Sequence, residues 1–167
     1  MKHIGLLSDT HGFWDDRFEE YFRNCDEIWH AGDIGSIELA ERFEKIKPFR
    51  AVHGNIDDFR VRAAFPEKLR FDMEGVDVLM THIGGYPGKY DARILKILTT
   101  APPKIFICGH SHILKVIYDK RHNLLSVNPG AAGKHGFHKT RTIMRMSFDQ
   151  GHITDAEVIE LKDEDRS

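Results

Sequence analysis

The sequence lacks long apolar runs, has few cysteines and carries almost no excess charge. Each shortage excludes a class of protein. A bilayer-spanning helix needs about 20 consecutive apolar residues, and apolar runs here stop after a handful. No membrane segment is expected. Met1-Lys2-His3 leads straight into a strand pattern, which leaves no room for a signal peptide and predicts a cytoplasmic protein. The two cysteines, Cys25 and Cys108, lack the close spacing of a zinc ribbon or redox CxxC, so free thiols are expected rather than a disulfide. With 24 basic and 26 acidic side chains the net charge is −2. That balance offers no basic field to draw a nucleic acid backbone, and nucleic acid is not an expected partner. Repeats, low-complexity tracts and Pro/Gly/Ser linkers are also lacking, so residues 1–167 read as a single domain.

What is present is an ordinary globular composition, 41% hydrophobic and 30% charged. Strand patterns at Lys2 to Leu7, Glu27 to His30 and Phe49 to His53 alternate with helix patterns at Asp15 to Arg23 and Ile37 to Glu44, the latter capped by Ser36. Such alternation predicts an α/β sheet covered by helices. Leu69 to Met73 and Val76 to Thr81 flank Glu74-Gly75, a hairpin signal. A helix from Asp91 to Thr99 ends before Pro102-Pro103. The remainder reads as strands at Ile105 to Cys108, Leu114 to Tyr118, Leu124 to Val127, Thr142 to Phe148 and Ile153 to Ile159. Two stacked sheets with helices outside accommodate both halves.

Histidine is the unusual residue, at 11. Its placement follows a rule. Five strand patterns end in polar clusters: "SDTHG" with Asp9 and His11, "HAGD" with Asp33, "HGNID" with Asn55, "MTH" with His82, and "GHSH" with His110 and His112. Ligands of open α/β sheets bind outside the carboxyl ends of the strands, so these five ends are expected to converge. Two Asp, one Asn and four His make a mixed oxygen and nitrogen donor set. It suits manganese, iron, zinc or nickel better than calcium or magnesium. Seven groups are too many for one tetrahedral ion, whereas a bridging carboxylate can hold two. Gly32, Gly54 and Gly109 keep side-chain bulk away from the donors.

In this order, DxH, GD, GN, H and GHxH, the motifs from Asp9 to Gly130 resemble the calcineurin-like metallophosphoesterase superfamily. "SDTHG", "HAGDI", "GNID", "GHSH" and "NPG" are similar to its small bacterial and archaeal phosphodiesterase branch. The resemblance implies a four-layer α-β-β-α sandwich with two divalent ions per chain at one end, manganese foremost. Asp9, His11 and His112 would hold one ion, Asn55, His82 and His110 the other, and Asp33 would bridge. It implies a metal-dependent phosphoesterase, more specifically a phosphodiesterase. A hydroxide between the ions would attack phosphorus, Asp33, Asn55 and His82 acting through it and the phosphate. The implied partner is a small phosphate ester. A metal-binding interaction scaffold of the same fold with little catalysis is the alternative.

The pattern departs from the superfamily at Ile56. Many relatives carry there a histidine that protonates the leaving group, and the phosphodiesterase branch commonly has cysteine followed by Asp. His53 is the nearest candidate for assisting the leaving group, or else packs or faces solvent. His30 reads as a core or supporting histidine. Asp57 either orients a ligand or caps a loop or helix. The loop Ile83 to Asp91, with Tyr86 and Lys89, is a candidate substrate wall or a plain connection. Lys134, His135, His138, Lys139 and Arg141 form either a cationic rim or a solvated turn. Asn128-Pro129-Gly130 reads as a turn returning to the metal end, and Asp163 to Asp165 as a frayed terminus. Tyrosines and phenylalanines leave a homo-oligomer open.

Overall fold

The computed structural model describes residues 1–162, so the acidic run 163–165 lies outside the described residues. Ten strands and four helices follow in chain order: β1 (Lys2–Leu7), α1 (Asp16–Tyr21), β2 (Glu27–His30), α2 (Ile37–Ile46), β3 (Phe49–Ala51), α3 (Phe59–Ala64), β4 (Lys68–Met73), β5 (Val76–Thr81), α4 (Ala92–Thr100), β6 (Ile105–Ile107), β7 (Lys115–Asp119), β8 (Leu124–Asn128), β9 (Arg141–Asp149) and β10 (His152–Leu161). They form two five-stranded sheets, ordered β10-β9-β1-β2-β3 and β4-β5-β6-β8-β7.

Three apolar clusters separate the layers. Between the sheets lie Ile4, Leu6, Trp29, Val78, Met80, Ile105, Ile107, Val127, Met144 and Met146. Outside the first sheet, Leu7, Ile28 and Ala51 meet Phe18, Phe22, Leu39 and Phe43 of the α1 and α2 region. Outside the second, Leu79, Phe106 and Leu124 meet Ile94 and Leu98 of α4. Period-two alternation explains how one strand serves two clusters: β1 sends Ile4 and Leu6 inward and Leu7 outward. The result is the expected α-β-β-α sandwich.

Most boundaries agree with the sequence pattern to within one or two residues, and Ser36 caps α2 by accepting from Leu39 N–H at 3.2 Å. Two expectations need correction. The third strand stops at Ala51 rather than His53, because His53 N–H turns to Pro66 O and the chain leaves the sheet to carry Asn55 towards the other clusters. The short helix α3 has no counterpart in the pattern. Only Val61 is buried on it, so it has no apolar stripe; it forms because Asp58 accepts from Arg60 and Val61 N–H.

Cys25 and Cys108 are free and buried. Burial pushes the Cys25 thiol up to about 11 and the Cys108 thiol up to about 12, so both stay protonated and poorly nucleophilic at neutral pH. Native protein at pH 8 is expected to be inert to a thiol-specific chromophoric disulfide, with both thiols reacting once denaturant is added. Rapid reaction of either thiol in the native state would contradict their burial.

Among the described residues no helix is long and apolar enough to cross a membrane.

Candidate metal centre

β1, β2 and β3 run parallel, as do β5 and β6, and their carboxyl ends bring all seven predicted donors together. Asp9, His11 and His112 form one group and Asp33, His82 and His110 a second, with the donor atoms of each within 4.8 Å of one another. Asn55 joins the second, its Oδ1 3.0 Å from His110 Nδ1.

The separations fit shared ions. His112 Nε2 lies 3.2 Å from Asp9 Oδ1, His82 Nε2 3.1 Å from Asp33 Oδ2, and His11 Nε2 3.5 Å from Asp33 Oδ2. Two donors each about 2.1 Å from one ion stand about 3 to 3.5 Å apart. Asp33 Oδ2 thus faces both groups. More telling, Asp9 Oδ1, His11 Nε2 and His82 Nε2 are buried and make no hydrogen bond. Buried polar atoms are almost always paired, so three orphans aimed at one space mark a place built for a cation.

The opposite end of each donor is occupied. Asp9 Oδ2 accepts from Ser8 Oγ–H at 2.6 Å and from His110 N–H at 3.1 Å, leaving Oδ1 to face inward. His82 Nδ1 donates to Ala31 O at 2.8 Å, which fixes the tautomer with a free lone pair on Nε2. Asp33 Oδ1 accepts from Ile56 N–H at 3.0 Å. Ser8 is a further member of the site; its signal in the sequence is a small hydroxyl between an apolar strand and the DxH.

Backbone conformation also concentrates here. Of the eight non-glycine residues with positive φ among the described residues, five are candidate donors: Asp9, His11, Asp33, His110 and His112. The other three, Glu74, Asn123 and Gln150, sit in strand connections. Strain gathered at a polar cluster is characteristic of functional sites. Close packing demands glycine as well. A Cβ on Gly54 would run into the Asp33 carboxylate, and one on Gly109 would meet Ser8 Oγ and Asp9 Oδ2.

Charge balance follows from this crowding. Burial opposes ionisation of Asp9, but His11, His112 and His82 hold its carboxyl far below the usual carboxylate range. Asp33 is likewise low, burial being outweighed by His82 and by the Ile56 N–H. His112 is raised by Asp9; His82 is raised by Asp33 and Asp9 in spite of its burial. The carboxylates are therefore anionic at neutral pH, as a cation site requires.

Support extends one layer further. His30 is fully buried and bonds Thr10 Oγ1 at 2.9 Å while accepting from Gly32 N–H at 3.1 Å; burial lowers its basicity. It braces two motif loops without joining the donors. Asp57 resolves as a loop clamp, its carboxylate accepting from Gly54, Ile34 and Gly35 N–H. Asn128 donates to Gly109 O and Ser111 Oγ and accepts from Gly130 N–H, so the NPG turn does return to the GHSH loop.

Two clefts flank the donors. One of about 290 Å³ is lined by His53, Asn55, Arg62, His82 and Arg93. His53 Nδ1 lies 2.9 Å from Phe65 O and is fixed there by donating to that carbonyl. The other, about 300 Å³, is lined by Tyr86, Lys89, His110, Lys115 and Asn128, which makes the Ile83 to Asp91 loop a cleft wall. His135 stacks on His11 with centroids 4.7 Å apart, and His138 meets His112 edge-on at 5.2 Å. Arg141 is not part of a rim. It is buried and pairs with Asp15 at 2.9 Å, because the carboxylate capping α1 needs a cation beneath it.

The family model for the calcineurin-like phosphoesterase superfamily domain matches residues 1–151. The chain belongs to the calcineurin-like phosphoesterase superfamily. A "Probable metallophosphoesterase" of Methanothermobacter thermautotrophicus is 29% identical over 136 residues, covering 77% of this chain and 76% of that protein. Among solved structures, an archaeal phosphodiesterase superposes with a TM-score of 0.75 at 20% identity over 95% of this chain and 99% of that one. Wild-type Vps29 of Entamoeba histolytica complexed with Zn²⁺ gives a TM-score of 0.73 at 14% identity, covering 95% and 98%. At such identities the superpositions speak for the fold alone. Membership makes this calcineurin-like chain a metal-dependent phosphoesterase, and its donor groups are suited to divalent ions.

Proposed function

We propose that the protein is a phosphodiesterase working with two divalent ions, manganese foremost, at the seven-donor centre, on a small phosphate ester in the cytoplasm. The observation that carries the reading is the set of buried, unpartnered donors facing one another around Asp33. Asp9, His11 and His112 would hold one ion, Asn55, His82 and His110 the other, with Asp33 shared. A bound pair supplies a water activated at neutral pH and positive charge against the phosphoryl oxygens.

The chain's own part is positioning. Ser8, the His110 N–H and Ala31 O aim Asp9 and His82, so no side chain must reorganise as charge builds on phosphorus. Asn55 and His82 form the wall shared with the His53 cleft, where the leaving group would lie. Ile56, 47% exposed beside Asn55, supplies no proton. His53, when protonated and with its Nδ1–H held by Phe65 O, would present an Nε2–H from the cleft wall instead.

General acid catalysis is worth about 10²- to 10⁴-fold for a poor leaving group and little for a good one. Ile56→His is expected to speed alkyl diesters selectively while nitrophenyl diesters change little, and His53→Gln to slow only the alkyl diesters. Equal changes for both leaving groups would contradict this division.

The proposed activity is tested with bis-p-nitrophenyl phosphate and its monoester, using chelator-stripped protein with and without manganese. Manganese-dependent release from the diester, exceeding that from the monoester, is expected. The scaffold reading draws on Ile56 and on the likeness of the fold to Vps29 structures; absence of turnover with two ions bound would favour it.

A further inference from the structure

The second cleft, about 300 Å³, is walled by Tyr86, Lys89, His110, Ser111, Lys115 and Asn128. It shares Ile83 and Asp91 with the His53 cleft, so the two adjoin at the loop that follows His82. Asn55 and His82 border the first cleft and His110 the second. A diester has two arms. With the leaving group in the His53 cleft, the arm that stays on phosphorus is left with the second.

The polar groups of that second cleft are unbalanced. Its acceptors are engaged. Asn128 Oδ1 accepts from Gly130 N–H at 2.9 Å. Asp91 Oδ1 accepts from Arg93 N–H at 3.0 Å and lies 3.5 Å from Arg93 Nε, and Arg93 lines the other cleft. Its donors are free. Lys89 and Lys115 have no carboxylate partner among the described residues. Ser111 Oγ accepts from Asn128 Nδ2 at 3.0 Å and from Ile113 N–H at 3.2 Å, which leaves its own proton to donate. Lys115 Nζ stands 3.4 Å from the centre of the Tyr86 ring. A ring face holds an ammonium in place without neutralising it or using all its N–H groups. The first cleft differs. There Arg93 faces Glu67 at 3.7 Å, Arg62 donates to the carbonyls of Asp57, Gly54 and Asn55, and of the lysine and arginine side chains only Lys68 lacks a partner among the described residues.

We propose that the substrate is a phosphodiester whose retained arm carries a further phosphate, seated in the second cleft by Lys89, Lys115 and the Ser111 hydroxyl. Charge-assisted bonds from ammonium groups to phosphate oxygens are the strong ones, and two unpaired cations in one cleft attract such an anion. This rests on the phosphodiesterase reading and narrows it. Water gives its hydroxyl to phosphorus and its proton to the departing oxygen, the P–O bond on the His53 side breaks, and the arm in the second cleft leaves with both phosphates.

The test compares p-nitrophenyl propyl phosphate with its analogue bearing a phosphate at the far end of the propyl arm, so that leaving group and reacting phosphorus are the same. With manganese-loaded protein, kcat/KM is expected to be at least about tenfold higher for the analogue, the scale of one charge-assisted hydrogen bond, with the gain in KM. In the double variant Lys89→Met, Lys115→Met the ratio should fall to about one, thermal unfolding showing that the variant is folded. A second readout needs no turnover. Chelator-stripped protein should bind propanediol bisphosphate at least about tenfold more tightly than propyl phosphate, and the double variant should lose that preference. Equal kcat/KM for the two esters overturns the proposal while the phosphodiesterase reading stands. Release from neither ester overturns the phosphodiesterase reading, and equal binding of the two phosphates then overturns the anion cleft as well.

Discussion

Asp33→Asn is expected to lower turnover by about 10³-fold or more and to reduce the number of ions retained. Asp33 Oδ2 lies 3.1 Å from His82 Nε2 and 3.5 Å from His11 Nε2, so it faces a histidine of each group, more closely than Asp9 Oδ1, which lies 3.2 Å from His112 Nε2 and 3.8 Å from His82 Nε2. Replacing the Asp33 carboxylate with an amide removes the negative charge proposed to hold both ions while changing shape very little. The transition-state stabilisation lost is several kcal/mol, which sets the size of the effect. Folding should survive. The amide oxygen can still accept from Ile56 N–H, as Oδ1 does now, and the amide N–H₂ can donate to His82 Nε2. The metal-free variant should therefore unfold near the parent's temperature. Unchanged metal content and rate would remove Asp33 from the centre.

Asp57→Ala should damage stability and metal binding together. Asp57 is 4% exposed and its carboxylate accepts from Gly54 N–H at 2.8 Å, Gly35 N–H at 2.9 Å and Ile34 N–H at 3.2 Å. Ile34 and Gly35 follow Asp33, and Gly54 precedes Asn55. One side chain thereby clamps two motif loops. Truncation leaves the buried Gly54 and Ile34 amides and the more exposed Gly35 amide without their acceptor, at a cost of about 3–5 kcal/mol. For a chain of this size the midpoint should fall by about 10 °C or more. Loosened loops should also weaken metal binding by about 10- to 100-fold. Asp57→Asn, with one carbonyl oxygen left to accept, should lie between. An alanine variant with the parent's midpoint and metal affinity would show that the clamp is dispensable.

These effects trace how much could be read from residues alone. The candidate donors were legible because each cluster follows an apolar strand pattern, often beside glycine, a local signal, and because sheet topology gathers carboxyl ends by a general rule. The same logic carried the four layers. Helix α3 was not legible, since a helix held by one buried residue and a cap has no periodicity to detect. Ser8 and His30 act through hydrogen bonds to particular atoms, which depend on loop geometry rather than spacing. Arg141 looked like a surface charge because its neighbours in sequence are polar. Its partner, Asp15, is remote in the chain, and only the fold reveals the pair.

The claim on which all of this depends is that catalysis needs both metal positions. The most direct test adds manganese stepwise to chelator-stripped protein and follows diester hydrolysis against ions bound per chain. Little turnover up to the first equivalent and a rise to a plateau at the second is the predicted result. Full activity with one ion bound, or none with two, would contradict it.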